Sequence, residues 1–140
     1  YELEKPKIYI HINSFGGSLF AVLACIDKIK KSKIPIITII EGSCASAATF
    51  ISLMGHERRM TKSSFMLIHQ LSSSFWGKMS EIEDEFSNLQ SLTKIIKDLY
   101  INYANLPKSG KYSLNSILKH DLWLSSDICK KLGLIDIIIE

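Results

Sequence analysis

Short apolar segments alternate with amphipathic stretches along the chain, and this order predicts an α/β fold. Apolar and polar residues alternate over residues 8–13 (IYIHIN), with the period of two that is typical of a half-buried strand. The β-branched run at 36–40 (IITII) predicts a strand that is buried on both faces and ends at Gly42. Apolar runs at 65–69 and 134–139 predict two more strands. Strands separated by helical stretches favour a largely parallel sheet.

Helical periodicity fills the stretches between these strands. Ser18 can cap a helix that runs to about Lys31, where several lysines complement the negative end of the helix dipole. Three short helices are predicted: one that follows residues 45–48 and ends near Gly55, one from Ser113, and one that is capped by Ser125 or Ser126 and stopped by Gly133.

The longest predicted helix begins at Ser80, which forms an S-x-x-E capping box with Glu83. Its apolar positions form an unusually broad stripe, made of Ile82, Phe86, Leu89, Leu92, Ile95, Ile96, Leu99 and Tyr103. Two interpretations of this stripe stay open: a helix packed in the core of its own domain, or a helix that projects into a partner subunit.

Composition fits a single domain that spans residues 1–140. The 17 basic and 14 acidic residues are scattered and give a formal net charge of +3, so no nucleic-acid-binding face is predicted. The longest strongly apolar run, residues 34–40, is far shorter than the roughly 18 residues that a membrane span needs. Three cysteines without a C-x-x-C pair favour reduced thiols in an intracellular protein, and exclude a disulfide framework. A mean hydropathy of +0.14 is slightly high for a monomer and is typical of a subunit of an assembly.

Reactive polar groups follow several of the predicted strands, which is where open α/β sheets usually carry their sites. In residues 42–48 (GSCASAA) a strand enters a turn of very small side chains before a helix, so a serine hydroxyl would lie at a helix N-terminus. That position favours a nucleophile, and Ser43 and Cys44 compete for the role, although Cys44 fits a buried small apolar residue better. Tight packing of helix against sheet explains the same small residues without any chemistry.

His69 closes an apolar strand and is the candidate general base, because imidazole titrates near neutral pH. A core histidine with a satisfied hydrogen bond is the alternative. Asp121 is a candidate for the carboxylate that orients such a histidine. The spacing of residues does not choose among four aspartates, which are Asp98, Asp121, Asp127 and Asp136.

Paired glycines occur in residues 13–18 (NSFGGS), between a predicted strand and a predicted helix. Gly16 and Gly17 leave backbone N–H groups accessible, so the loop could donate to an oxyanion, or could be a plain strand-to-helix turn. The motif G-x-G-x-x-G is absent, and a nucleotide site has little support.

Taken in order, these segments resemble the Clp protease proteolytic subunits (ClpP, serine peptidase family S14). The resemblance extends from Ile8 to about Ile138, and four motifs carry it: INSFGGS at 12–18, GSCASAA at 42–48, MLIHQ at 66–70 and GLID at 133–136. It implies a ClpP/crotonase-like superhelix of ββα units with a projecting handle helix, which would be the helix from Ser80.

The resemblance also implies roles for individual residues. Ser46 would be the nucleophile, His69 the general base and Asp121 the orienting acid, with the backbone N–H groups of Gly16 and Ala47 as the oxyanion hole. No metal and no cofactor is expected in this chain, since ATP would be used by a partner AAA+ unfoldase. The implied assembly is a homo-oligomer of heptameric rings, possibly stacked to a tetradecamer, in the cytoplasm or an organelle. Unfolded polypeptides would be the substrates, with neither nucleic acid nor a membrane span involved, and the family's N-terminal axial region is expected to be absent.

Four functional hypotheses follow. The first is an active ATP-dependent serine endopeptidase, and the second is a non-catalytic, ClpR-like structural subunit of a mixed ring. The third is a relative of signal-peptide peptidases that uses a Ser–Lys dyad. A crotonase-like acyl-CoA enzyme is the fourth and has the least support.

Overall fold

The computed structural model describes residues 3–140, and its elements follow the predicted α/β order. The strands are β1 (Ile8–Ser14), β2 (Ile36–Ala45), β3 (Glu57–Thr61), β4 (Phe65–Leu67), β5 (Trp123–Ser125) and β6 (Ile137–Ile139). The helices are α1 (Leu19–Lys31), α2 (Ala48–Leu53), α3 (Met79–Tyr103), α4 (Leu114–Lys119) and α5 (Ser126–Lys131). Mixed α/β architecture with a curled sheet is consistent with the ClpP-like superhelix that the sequence implied.

One six-stranded sheet joins these strands in the order β5-β4-β2-β3-β6, and β1 also pairs with β2. Strand β2 is the centre of the fold, because β1, β3 and β4 all pair with it in parallel. Strand β6 pairs in parallel with β3, and only β5 runs antiparallel to its neighbour β4 within residues 3–140. The prediction of a largely parallel sheet is confirmed.

Strand β2 is longer than the sequence predicted, since it passes Gly42 and ends at Ala45. A register shift in β1 makes this possible: Ile12 pairs with Ile40, whereas Ser14 pairs with Cys44. The extra residues of β2 bulge at Gly42, whose φ of 71° lies in the left-handed region. The Asn13 side chain fills the bulge, and its Oδ1 accepts hydrogen bonds from the backbone N–H and the hydroxyl of Ser43, both at 3.2 Å. Beyond the bulge, β2 leaves β3 and pairs with β4.

Two strands were missed by the prediction, and two others are shorter than predicted. Strands β3 and β5 were not predicted, because the sequence of β3 (ERRMT) is mostly charged and β5 contains only three residues. Strand β4 ends at Leu67 instead of residue 69, and β6 begins at Ile137 instead of residue 134. The predicted apolar runs are nevertheless core segments, since Ile68 and Leu134 are fully buried.

Helix ends agree well with the cap residues in the sequence. Ser18 accepts a hydrogen bond from the Ala21 N–H and begins α1, whose Val22, Ile26 and Ile29 are buried. The predicted helix from Ser113 is also found, and Ser113 caps it by accepting from the Ser116 N–H. Of the two cap candidates for α5, Ser125 is the cap, and it accepts from the Ile128 N–H. These caps require only local contacts, which is why the sequence reveals them.

Helix α3 begins earlier than predicted, and its cap is a different one. The Lys78 backbone N–H donates to the Glu81 carboxylate at 3.1 Å, so the expected box of Ser80 and Glu83 is wrong by two residues. The buried residues of α3 all lie in its last two turns: Ile96, Leu99 and Tyr100. The earlier turns expose large apolar side chains, among them Phe86, which is 63% exposed. The C-terminal end of α3 is therefore packed in the core of its own domain, whereas its N-terminal part leaves apolar side chains exposed.

No helix in residues 3–140 is both long enough and apolar enough to cross a membrane.

Candidate active site

Ser46 lies in the two-residue turn that joins β2 to α2. Its φ is 57°, the only positive φ of a non-glycine residue within residues 3–140. This left-handed conformation costs about 1–2 kcal/mol for an L-residue and persists only where the surroundings hold it. Here the Ser46 N–H donates to the Leu67 carbonyl at 2.9 Å, and the Ser46 carbonyl accepts from the Thr49 N–H at 3.0 Å. Both backbone polar groups of the strained residue are thus fixed.

The other two candidate nucleophiles of this segment are unavailable, because the Ser43 hydroxyl is hydrogen-bonded and the Cys44 thiol is buried. The Ser43 hydroxyl donates to Asn13 Oδ1. The Cys44 thiol is completely buried, and that burial, with a smaller effect of Cys129, raises its pKa to about 12. A thiol that stays protonated and hidden at neutral pH is a poor nucleophile. Ser46 is partly exposed and is the accessible nucleophilic side chain of this segment.

A cavity of about 180 Å³ connects Ser46 to the segment that follows β4. One wall is formed by Gly17, Ser46 and Ala47, and the opposite wall by residues 69–72, which begin with His69. Side chains from two helices complete the lining: Leu19 of α1, Phe50 of α2, and Ile96 and Tyr100 of α3. Nothing in the sequence indicated that Phe50, Ile96 and Tyr100 would line this cavity. The structure therefore brings two of the three predicted triad residues, Ser46 and His69, to one cavity.

The register of the parallel sheet explains why Ser46 and His69 line the same cavity. Ala45 of β2 pairs with Leu67 of β4, so Ser46 and His69 follow the carboxyl ends of neighbouring strands. His69 Nδ1 lies 2.8 Å from the Gln70 carbonyl oxygen. A carbonyl can only accept, so the ring proton sits on Nδ1 and the lone pair of Nε2 is free to take a proton. That is the tautomer a general base requires.

Asp121 is exposed and lies between α4 and β5. In the antiparallel pairing, Met66 faces Leu124 and Leu67 faces Trp123. The ladder ends at Leu67 and Trp123, so His69 and Asp121 both lie beyond its last pair. The next contact is a 3.1 Å hydrogen bond from the Gln70 N–H to the Leu118 carbonyl, which is shifted by two residues from that register.

The Asp121 carboxylate makes no hydrogen bond or ion pair with His69 among the residues that the structure describes, and His69 Nδ1 contacts the Gln70 carbonyl instead. The predicted side-chain contact is therefore not formed in the isolated chain. The assignment of Asp121 stays a prediction.

None of the four candidate aspartates lines the cavity. Asp136 binds Arg58 through a 2.7 Å contact of Oδ1 with Nη2, and hydrogen bonding to that guanidinium lowers the pKa of the carboxyl. Asp98 is an exposed residue of α3, and Asp127 is exposed in the first turn of α5. Asp121 is the only one of the four that lies just before β5, the strand that pairs with β4.

The paired-glycine loop packs directly against the Ser46 turn. Gly16 has a φ of 102°, and a Cβ on it would lie 2.9 Å from both the Ala45 carbonyl oxygen and Ser46 Cβ, and 3.1 Å from the Ala47 nitrogen. The Gly16 N–H donates to the Ser14 hydroxyl at 3.1 Å, whereas the Ala47 N–H has no acceptor among the described residues. The two predicted oxyanion donors are thus neighbours, and the Ala47 N–H is the one that is free.

Comparison with known proteins identifies the family that the chain resembles. The family described as Clp protease matches residues 2–140 of the chain. A similar protein is the "ATP-dependent Clp protease proteolytic subunit" of Deinococcus radiodurans, which is 29% identical over 138 residues. The alignment covers 97% of this chain and 66% of that relative, so the chain spans just under two thirds of the relative's length. The matched region includes every segment that lines the cavity.

Proposed function

The chain belongs to the Clp protease family, and we propose that it is a serine endopeptidase that hydrolyses peptide bonds of unfolded polypeptides inside an oligomeric chamber. The observation that carries this proposal is Ser46, which is held at positive φ in the wall of a cavity that it shares with His69. A strained serine at a strand-to-helix turn presents its hydroxyl to substrate, as in a nucleophile elbow. The Nδ1–H tautomer of His69 supplies the base.

The reaction is acyl transfer in two steps. Ser46 Oγ forms a bond to the peptide carbonyl carbon while His69 Nε2 takes the hydroxyl proton. The tetrahedral intermediate collapses as the C–N bond breaks, and His69 returns the proton to the leaving amine. Water then attacks the acyl-enzyme, again with His69 as base, and the products are a carboxylate and free Ser46. Backbone N–H groups of Ala47 and Gly16 stabilise the negative oxygen at each intermediate.

Asp121 acts by replacing the Gln70 carbonyl at His69 Nδ1. A backbone carbonyl can hold the correct tautomer, but a carboxylate also stabilises the imidazolium that forms during each step. The position of Asp121 just before β5 supports this role, because β5 pairs with β4, the strand that leads to His69. Docking of neighbouring subunits would supply the small rearrangement that brings the two side chains together.

Assembly into heptameric rings, stacked through α3, is the proposed architecture of the chamber. Met79, Ile82 and Phe86 support it, since they form an apolar surface on the projecting part of α3 that the isolated chain leaves exposed. An AAA+ unfoldase would deliver substrates and use the ATP, so the chain itself needs neither nucleotide nor metal for this chemistry.

A fluorophosphonate probe tests the proposal, combined with a fluorogenic peptide assay of the assembled protein. We expect one probe adduct on Ser46, loss of the adduct and of hydrolysis in Ser46→Ala, and retention of both in Ser43→Ala. The second variant is a matched control, because it removes a hydroxyl three residues away whose hydrogen bond is to Asn13. An assembled wild-type protein that takes up no probe overturns the proposal.

Two contacts favour a second candidate, a non-catalytic subunit of a mixed ring. The Gln70 carbonyl holds His69 Nδ1, and the Ser14 hydroxyl holds the Gly16 N–H, so two groups of the proposed machinery have other partners in the isolated chain. This candidate predicts that the pure protein cleaves nothing and restores activity when it is mixed with an active paralogous subunit. A Ser–Lys mechanism has no comparable support, since no lysine lines the cavity in the described part of the chain.

A further inference from the structure

We propose that Thr49 and Tyr100 are positioning residues, which hold Ser46 in its reactive conformation through a buried chain of hydrogen bonds from Tyr100 to Thr49 to the Ser46 carbonyl. The inference rests on the proposed function of Ser46 as nucleophile. It concerns two side chains that would not touch the substrate carbonyl, and that act through the backbone of the residue that does.

The direction of the chain follows from hydrogen-bond chemistry. Thr49 Oγ1 lies 2.6 Å from the Ser46 carbonyl oxygen and 2.7 Å from the Tyr100 hydroxyl. A carbonyl oxygen can only accept a hydrogen bond, so the single hydroxyl proton of Thr49 is donated to the Ser46 carbonyl. The Tyr100 hydroxyl must then donate to Thr49 Oγ1. Each bond polarises the next, which strengthens the contact at Ser46.

The hydrogen bonds from Thr49 act on the backbone carbonyl of Ser46, the residue with the strained φ. The Ser46 carbonyl accepts twice from Thr49, once from the backbone N–H at 3.0 Å and once from the hydroxyl. On its other side, the Ser46 N–H is bound to Leu67. Loss of the Thr49 hydroxyl bond would remove one of the hydrogen bonds that stabilise the left-handed φ of Ser46. The serine would then leave its reactive conformation for part of the time.

Because Thr49 and Tyr100 are buried, water cannot easily replace the hydrogen bonds that they make. Thr49 is 0% exposed and Tyr100 is 1% exposed. The Tyr100 ring packs against Phe50 with centroids 5.0 Å apart, which fixes the position of its hydroxyl. Burial also raises the Tyr100 pKa, so the hydroxyl keeps its proton wherever the protein is folded. Tyr100 belongs to α3, and the chain therefore ties the Ser46 turn to the last turns of that helix.

Three substitutions separate this role from ordinary packing. Thr49→Val keeps the shape and removes the donor, Thr49→Ser keeps the donor, and Tyr100→Phe keeps the ring and removes the first hydroxyl. We expect Thr49→Val to slow fluorophosphonate labelling and kcat by about tenfold with KM unchanged, which is the scale of one lost buried hydrogen bond. Tyr100→Phe should lower both by roughly threefold, and Thr49→Ser should stay within about twofold of wild type.

Thr38→Val is the matched control. Thr38 is also 0% exposed, and its hydroxyl donates to the Ser52 carbonyl at 2.9 Å, so this variant loses the same kind of bond without touching Ser46. We expect it to lower the unfolding midpoint as Thr49→Val does, and to leave the labelling rate unchanged. The double variant Thr49→Val/Tyr100→Phe should be no slower than Thr49→Val, because both substitutions break one chain.

The outcomes are distinct. Slow labelling in Thr49→Val, with rescue by Thr49→Ser and a normal rate in Thr38→Val, supports the positioning role. A Thr49→Val labelling rate equal to that of Thr38→Val overturns it while the proposed function of Ser46 stands. If Thr49→Val does not fold, the labelling rate of Tyr100→Phe is the test. A wild-type rate in that variant overturns the positioning role of the Tyr100–Thr49–Ser46 hydrogen bonds. Absence of any labelling in the wild type overturns the proposed function and this inference with it.

Discussion

The Ser46 backbone N–H donates a 2.9 Å hydrogen bond to the carbonyl of Leu67, two residues before His69. This bond continues the pairing of β2 with β4 one residue beyond the end of β2, into the turn where Ser46 takes its left-handed φ. The backbone of Ser46 is therefore fixed against the end of the strand that precedes His69. Changes that shift the turn by a fraction of an ångström should affect activity more strongly than their distance from the hydroxyl suggests.

Gly16→Ala should shift the turn in this way. The added Cβ would lie 2.9 Å from the Ala45 carbonyl oxygen and from Ser46 Cβ, at a backbone φ of 102°. We expect the free energy of unfolding to fall by about 2–4 kcal/mol, as the sum of left-handed strain and steric overlap. Peptidase activity should fall by at least about tenfold, because the Ser46 turn must move. Denaturant unfolding and peptide hydrolysis measure the two effects.

Gly110→Ala is the control for Gly16→Ala. Gly110 has a similar φ of 91°, but an added Cβ there meets nothing within 4 Å. This variant should lose about 1 kcal/mol from strain alone and keep full activity. Equal losses of stability and activity in the two glycine variants would contradict the proposed contact of Gly16 with the Ser46 turn.

Asp121→Asn tests the third member of the proposed triad. An amide cannot stabilise the imidazolium of His69, and we expect kcat to fall by roughly 10²- to 10⁴-fold with little change in KM. Steady-state hydrolysis of a peptide by the assembled protein gives both constants. The left-handed turn at Ser46 does not involve Asp121, so the unfolding midpoint should stay close to that of the wild type.

The control for this substitution is Asp127→Asn, which makes the same chemical change at an exposed residue in the first turn of α5. It should leave kcat unaltered. Activity of Asp121→Asn within about twofold of the wild type would show that the Gln70 carbonyl alone orients His69, and would remove Asp121 from the mechanism.

Local chemistry explains which parts of the fold could be predicted from sequence. The caps Ser18, Ser113 and Ser125 need only an N–H three residues away, and each lies at a helix start that the sequence indicated. Strands β3 and β5 depend instead on distant partners. Strand β3 is mostly charged, and it forms because β2 and β6 flank it on either side. The continuation of β2 to Ala45 likewise needs the Asn13 side chain, which lies about 30 residues earlier.

The residues of the candidate site also divide into those that local sequence reveals and those that depend on distant partners. The segments of Ser46 and His69 could be found because each follows an apolar strand, and the ends of neighbouring parallel strands meet. No local pattern separates Asp121 from the three other aspartates, and its place just before β5 was hidden because β5 was not predicted. Tyr100 is 51 residues from Thr49, so nothing in the local sequence signals the bond between them.

Phe86→Asp tests the proposed use of α3 in assembly. Phe86 is 63% exposed in the isolated chain, so a charge there should not disturb the fold of one subunit. In an oligomer, the same carboxylate would be buried against an apolar surface, at a cost of several kcal/mol. We expect native mass spectrometry to show a shift from the large assembly towards single rings or monomers, with an unchanged circular dichroism spectrum.

Ser87→Asp provides the comparison for Phe86→Asp, because it adds the same charge at the next, already polar and exposed position of α3. Its assembly mass should match that of the wild type. If Phe86→Asp also keeps the wild-type mass, the apolar surface of α3 is not an interface between subunits.

Acid sensitivity should arise in part from the pairing of Asp136 with Arg58. The Arg58 side chain hydrogen-bonds the Asp136 carboxylate, with Nη2 to Oδ1 at 2.7 Å, and this lowers the carboxyl pKa despite partial burial. A carboxyl with a depressed pKa in the folded state contributes stability above its unfolded pKa, near 3.9, and loses it as the pH falls through the folded value. The same Arg58 donates to the Tyr103 carbonyl at the end of α3, so the pair also secures that helix end.

Asp136→Asn should therefore destabilise the protein by about 1 kcal/mol between pH 5 and 8, a small value because the Asp136 side chain is 41% exposed and its charge is screened by solvent. The difference from wild type should shrink below about pH 4, where protonation removes the charge of Asp136 in the wild type as well. Denaturant unfolding at each pH measures the difference. Asp27→Asn, at an exposed position of α1 with no ion pair among the described residues, should show no such change with pH. A constant difference for Asp136→Asn from pH 3 to pH 8 would mean that the carboxylate charge contributes nothing and that Arg58 is held by neutral hydrogen bonds alone.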